Sequence, residues 1–148
     1  MALYDSLLEV GVVPVGIETY ANSRRLEKSF RLQGADLETE YTAIEAAIQR
    51  PLVKEADFHG KAAHLSHREN KPCAILGTMT LDNLNVSGVP RYPVGISPII
   101  DPATGEVPID SKGRRSYTTG MSYCPSIKKF VVMGYLPNNI AEVGKSLL

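Results

Sequence analysis

Apolar residues recur with a helical period near the start of the chain and in short β-prone runs toward its end. Leu3, Leu7 and Val10 stand at i, i+4 and i+7, with Asp5 and Glu9 off that face and Gly11 placed to stop the turn, so residues 2–10 read as a short amphipathic helix. Residues 12–17 are a β-prone connector broken by Pro14 and Gly16. Leu26 and Phe30, one turn apart with Arg24, Lys28 and Arg31 on the polar side, predict a second helix over 23–30 that Gly34 closes. Thr42 and Glu45 have the spacing of a capping box, which predicts a third helix from about 43 to 49, ended by Pro51. Residues 57–65 read as a turn leading into a short helix, which gives way to the charged run 66–71.

After Pro72 the period shortens. Residues 73–81, 92–96, 99–100, 107–109, 116–122 and 130–135 are β-prone pieces, and the turn-forming stretches 101–105 and 110–113 are placed to join antiparallel neighbours. The pattern predicts an α+β fold in which a short helical α/β segment precedes a small antiparallel sheet or barrel. Two further expectations come from the ends. A helix with an apolar face and nothing before it to pack against suggests that upstream sequence is missing. The turn at 137–144 leads into only four more residues, which suggests that the last strands are missing or supplied by a partner.

Composition narrows the function classes. Sixteen basic residues balance sixteen acidic ones, so no overall field draws the chain to nucleic acid or to an anionic membrane. No apolar run reaches the length of a membrane span and the N-terminus lacks a basic signal-peptide start, so a cytoplasmic protein is expected. Cys73 and Cys124 are far apart without metal-ligand partners and read as packing residues. His64 and His67 share a helix face, yet nothing supplies a third and fourth ligand, and no metal site is expected.

Candidate chemistry concentrates in the basic cluster Arg24, Arg25, Lys28 and Arg31, where Arg25 is the best placed to grip a carboxylate. The competing readings are an exposed helix face, or an internal ion pair of Arg25 with Glu27 or Glu45. Lys112, Arg114 and Arg115 beside Gly113 read as a solvated hairpin tip. Thr118, Thr119 and Ser122 carry hydroxyls without a histidine or carboxylate at triad spacing, so covalent catalysis has no support.

Taken in order, Arg25-Leu26-Glu27-Lys28, Phe30-Arg31, Gly34, Asp36-Leu37, Thr42 and Glu45-Ala46 make a first block, and Asp57-Phe58, Gly60-Lys61 and Ala63 a second. Thr118-Thr119-Gly120, Tyr123, Pro125-Ser126, Lys128-Lys129 and Met133-Gly134-Tyr135 with Pro137 make a third. Together they resemble the glycine-cleavage T-protein (aminomethyltransferase) family, in particular the folate-binding C-terminal region of dimethylglycine and sarcosine dehydrogenases. The resemblance implies that residues 1–55 are the tail of a central folate-binding α/β region and that residues 56–148 are a C-terminal β-barrel domain. It implies one-carbon transfer from an amine donor to tetrahydrofolate, with FAD only where a separate oxidoreductase domain precedes it.

The family's assisting carboxylate belongs to an earlier part of the chain, so turnover is expected only within a longer protein, and none of these 148 residues is expected to be catalytic. Arg25 would hold a folate carboxylate, and Tyr20 and Tyr123 would stack on its ring, while Glu27 would partner a basic group. The implied partners are the small-molecule folate and either the missing N-terminal portion or a second copy. The alternative is a non-catalytic binding or assembly domain of the same fold. Several positions depart from the family text: Ala21 stands where an arginine is usual, Ser29 and Ala47 where glycines are, and Ala43 where a proline is.

Overall fold

A computed structural model describes residues 2–82, 85–86, 89–90 and 95–147, the four residues at 85–90 through their backbone only. Helix α1 spans Ala2–Glu9, a π-helical turn Thr19–Arg24 runs directly into the short helix α2 (Arg25–Glu27), and α3 spans Lys61–Glu69. Strands β1 (Ala74–Leu81), β4 (Tyr117–Cys124) and β5 (Lys129–Pro137) form an antiparallel sheet in the order β1-β5-β4, and β2 (Asn85–Val86) pairs separately with β3 (Val89–Pro90). The fold is therefore α+β with a small antiparallel sheet, as the sequence pattern predicts. Among the described residues this sheet is open rather than closed into a barrel.

The central strand β5 is buried from Val131 through Pro137 because both of its faces are covered. Its near-continuous apolar run fits that position. On one face Leu26 and Tyr41, from the helical strap of residues 19–48, join Leu76, Cys124, Val131, Met133 and Tyr135 in one core cluster. On the other, Ile99 lies so close to Gly134 that a Cβ there would sit 2.8 Å from its Cδ1 and 2.7 Å from the Tyr117 carbonyl. Each large apolar side chain buried in this way contributes about 1.5–3 kcal/mol.

Helix ends account for most differences from the predicted boundaries. α1 stops at Gly11, whose φ of +86° lets its amide reach the Leu8 carbonyl at 2.9 Å and the Val12 amide reach that of Leu7 at 3.0 Å. This is the Schellman pattern. The same pattern ends α2 at Ser29, not at Gly34: Ser29 N bonds Leu26 O at 2.9 Å and Phe30 N bonds Arg25 O at 2.8 Å, with Ser29 at φ +55°. The predicted helix at 43–49 is a single capped turn, closed in the same manner at Ala47 (φ +54°) by Ala47 N to Ile44 O at 3.0 Å and Ile48 N to Ala43 O at 3.1 Å.

The capping box itself forms as read. Thr42 N donates to Glu45 Oε2 at 2.9 Å, and Glu45 N donates to Thr42 Oγ1 at 3.2 Å.

Other predictions fare differently. α1 forms, but none of its residues is buried, and its apolar face stays exposed, with Leu3 at 75% and Val10 at 77% exposure. Residues 99–100 and 107–109 are not strands. They meet β4 and its approach only through single bridges, Pro98 to Tyr117 and Ile109 to Arg115, because Pro98, Pro102 and Pro108 lack the amide a ladder needs. The strand expected at 92–96 lies largely outside the described residues. No helix among the described residues is long and apolar enough to cross a membrane.

Candidate functional site

The strap is locked to the sheet at a buried carboxylate. Asp36 is fully buried, and its Oδ2 accepts from Arg25 Nη1 and from the Leu32 amide at 2.8 Å, while its Oδ1 accepts from Thr119 Oγ1. Its carbonyl accepts from the Tyr135 hydroxyl at 2.7 Å. Arg25, only 9% exposed, spends further donors on the carbonyls of Ala21 at 2.9 Å and Phe30 at 3.3 Å. The strand is shaped to receive this pair. A bulge between Thr118 and Gly120 turns Thr119 toward Asp36, and a Cβ on Gly120 would run into the Arg25 guanidinium.

A second, part-buried arginine closes the other side. Arg114 bonds Glu45 Oε1 at 2.5 Å and Asp110 Oδ2 at 2.7 Å, and its guanidinium lies 4.3 Å from the centre of the Tyr41 ring. Tyr41 in turn stacks on Tyr135, with centroids 3.5 Å apart and planes within 5°. Burial pushes the Glu45 carboxyl up, but the Arg114 guanidinium and the Thr42 amide outweigh it and hold it down at about 2. Asp110 is also held below its ordinary value, because the Arg114 amide and guanidinium outweigh its burial. Burial pushes the Tyr41 and Tyr135 hydroxyls well above theirs. The reading of Arg114 as a solvated tip is thus corrected, since the turn at 110–113 folds back onto the strap.

The predicted site residues do not converge. Arg25 faces inward, paired with Asp36 rather than with Glu27 or Glu45. Tyr20 is 80% exposed, and Tyr123 is 45% exposed with its ring edge-on to Phe130 at 5.4 Å. Glu27 partners Arg24 at 3.0 Å and also accepts from the Ser126 amide at 3.0 Å, tying α2 to the β4–β5 turn. Arg31 donates to the Ala46 carbonyl at 2.9 Å, so Lys28 is the member of the basic cluster left exposed, its side chain without an ion pair or hydrogen bond among the described residues. Cys124 is buried and donates to the Ser23 carbonyl at 3.4 Å, a packing role as predicted.

A concavity among the described residues lies elsewhere: a cleft of about 440 Å³ whose lining includes Glu38, Glu40, Ile96, Tyr117 and Thr119. None of the three predicted ligand residues borders it. Sequence reasoning missed it because no local motif joins residues 34–40 to Ile96 and Thr119, and only the bulge in β4 brings them together.

Fold and site together define an α+β module in which two arginine–carboxylate anchors, one sealed and one part-buried, hold a helical strap on an open antiparallel sheet. Known proteins place that module. It is similar to human mitochondrial dimethylglycine dehydrogenase, 28% identical across 99% of the chain, and to the aminomethyltransferases of Koribacter versatilis (31%, 87% of the chain) and Francisella tularensis (29%, 90% of the chain). The resemblance read from the motif blocks therefore holds over nearly the whole chain. The chain spans 16% of the human protein's length and 30% and 34% of the two bacterial ones. No family model matches the chain.

Proposed function

We propose that this chain is the C-terminal module of a tetrahydrofolate-dependent aminomethyl or methyl transferase, which moves a one-carbon unit from an amine donor to folate when joined to a catalytic N-terminal part. The observation that carries this reading is similarity along almost the full chain to two differently named groups, dimethylglycine dehydrogenases and aminomethyltransferases. In this reading residues 1–55 belong to the central folate-binding region and residues 56–148 to the C-terminal domain.

The residues present fit a flat ring better than they fit a carboxylate. Tyr20 and Phe30 offer exposed faces at 80% and 66%, whereas Arg25 is already neutralised by Asp36. Lys28 is the cation better placed to meet a glutamate tail, with Arg25 acting as the support beneath it. No chemical step is assigned to residues of this chain.

Calorimetric titration of tetrahydrofolate into the 148-residue chain tests the reading. Binding should weaken at least fivefold in Tyr20→Ala and Lys28→Ala, both of which leave the core untouched. Absence of binding at millimolar folate by a folded chain would overturn it. It would favour the second reading, a non-catalytic assembly module, which is supported by Ala21 in place of an arginine and by the internal use of Arg25.

A further inference from the structure

The outer edge of β1 is complementary to itself, and we propose that two copies of this chain associate by pairing their β1 edges antiparallel about Met79. β1 is an edge strand, paired with β5 from Ala74 to Leu81 and, among the described residues, with no strand on its other side. In an antiparallel strand the amide and carbonyl of one residue point to the same side, and the side alternates from residue to residue. Leu76 sends its amide away from β5, to the Glu45 carbonyl at 2.8 Å. The backbone groups of Thr78 and Thr80 therefore point outward too, while those of Gly77, Met79 and Leu81 serve β5.

No described residue bonds the outward groups of Thr78 and Thr80, and both side chains are exposed. The strap covers this edge at Leu76, through Glu45, and the remainder from Gly77 to Leu81 contains no charge and no proline that would keep it from pairing.

A second copy fits this edge for a geometric reason. With a two-fold axis beside Met79, Thr78 of one copy stands opposite Thr80 of the other, and each pair exchanges two N–H···O=C bonds, four in all. The facing side chains are threonine pairs, which are favourable across strands. The strand is neutral and the whole chain carries no net formal charge, so no field holds two copies apart. The contact is short, so the association is weak, with a dissociation constant on the order of 100 μM or above.

Sedimentation equilibrium of the intact chain over a range of concentrations provides the test. The mass should rise from 16.1 kDa toward twice that value as concentration increases, and the Thr78 and Thr80 amides should gain protection from hydrogen exchange in parallel. Thr80→Pro deletes an outward donor without touching a β5-facing one, and should abolish the rise at unchanged melting temperature. Should the proline disturb the strand, Thr80→Lys, which keeps the Thr78 contact with Ser29 and brings two like charges onto the same short contact, should do the same. A wild-type chain that stays monomeric throughout overturns the proposal. So does a mass rise that both folded variants retain, which would place the contact on the exposed apolar face of α1.

Discussion

Arg25 and Arg114 do the same structural work with different degrees of enclosure. Each guanidinium anchors the strap through carboxylates: Arg25 holds Asp36, also of the strap, which Thr119 and Tyr135 bond from the sheet, and Arg114, just before β4, holds Glu45 of the strap and Asp110 of its own turn. The Arg25 anchor is sealed, with the Asp36 side chain at 0% exposure and the arginine at 9%. The Arg114 anchor is at the margin, 13% exposed and stacked on Tyr41. The difference teaches how such pairs act. The sealed pair fixes which strap residue meets which strand residue, and losing one member strands a buried charge. The marginal pair shares one cation between two acids, so its strength follows their protonation.

The sealed anchor should therefore fail hardest. Asp36→Ala strips Arg25 of its counter-ion and leaves Thr119 and the Leu32 amide without an acceptor, which should cost about 3–5 kcal/mol. Urea denaturation at pH 7 measures this, with the far-ultraviolet spectrum checking that a fold persists. A loss below roughly 1 kcal/mol would mean that solvent already reaches the pair, and the contrast between the two anchors would collapse.

Arg114→Ala should cost less, about 2–3 kcal/mol at pH 7, because Glu45 keeps the Thr42 amide and the site borders water. Its signature is pH. A carboxyl held at about 2 in the fold, against 4.5 in the unfolded chain, adds stability that is complete above about 4.5 and is lost as pH falls toward 2. Removing the guanidinium leaves burial as the dominant influence on Glu45, so the variant forfeits that contribution. The gap between wild type and Arg114→Ala should be widest at pH 7 and shrink by pH 3. A gap independent of pH would show that Arg114 acts through its stack on Tyr41 alone.

This contrast also explains what could be read from the chain itself. The capping box at Thr42 and Glu45 was legible because both partners lie within one helical turn, and the antiparallel strands were legible from apolar runs between turns. Arg25 stood out as a site residue by charge and spacing, but its partner could not be chosen locally. Glu27 is nearer in sequence than Asp36 and Glu45 farther, and the fold commits them to Arg24 and Arg114 instead. Asp36, Thr119 and Gly120 were visible only as fragments of separate motif blocks. Folding brings those blocks to one point, so the residues that carry the family resemblance are in good part those that build the sealed anchor. The cleft was invisible for the same reason, as its walls come from segments some eighty residues apart.

The smallest expected effect concerns the turns that deliver the two anchors. Arg25 opens α2 and its carbonyl receives the closing bond from Phe30, with Ser29 left-handed between them; Glu45 sits in the capped turn closed at Ala47. At Gly11 the same Schellman position holds the residue that suits it. Ser29 and Ala47 each carry a Cβ where φ is near +55°, a penalty of about 1–2 kcal/mol, partly offset by the greater freedom of glycine in the unfolded chain. Ala47→Gly should stabilise by about 0.5–1 kcal/mol. Ser29→Gly should gain less, because it also removes the 2.9 Å hydroxyl contact with Thr78 that ties the sealed side of the strap to β1. If the two gains are equal, the Ser29–Thr78 contact contributes nothing. If Ser29→Gly destabilises, that contact outweighs the backbone strain, and the strap is held at Ser29 as well as at its two arginines.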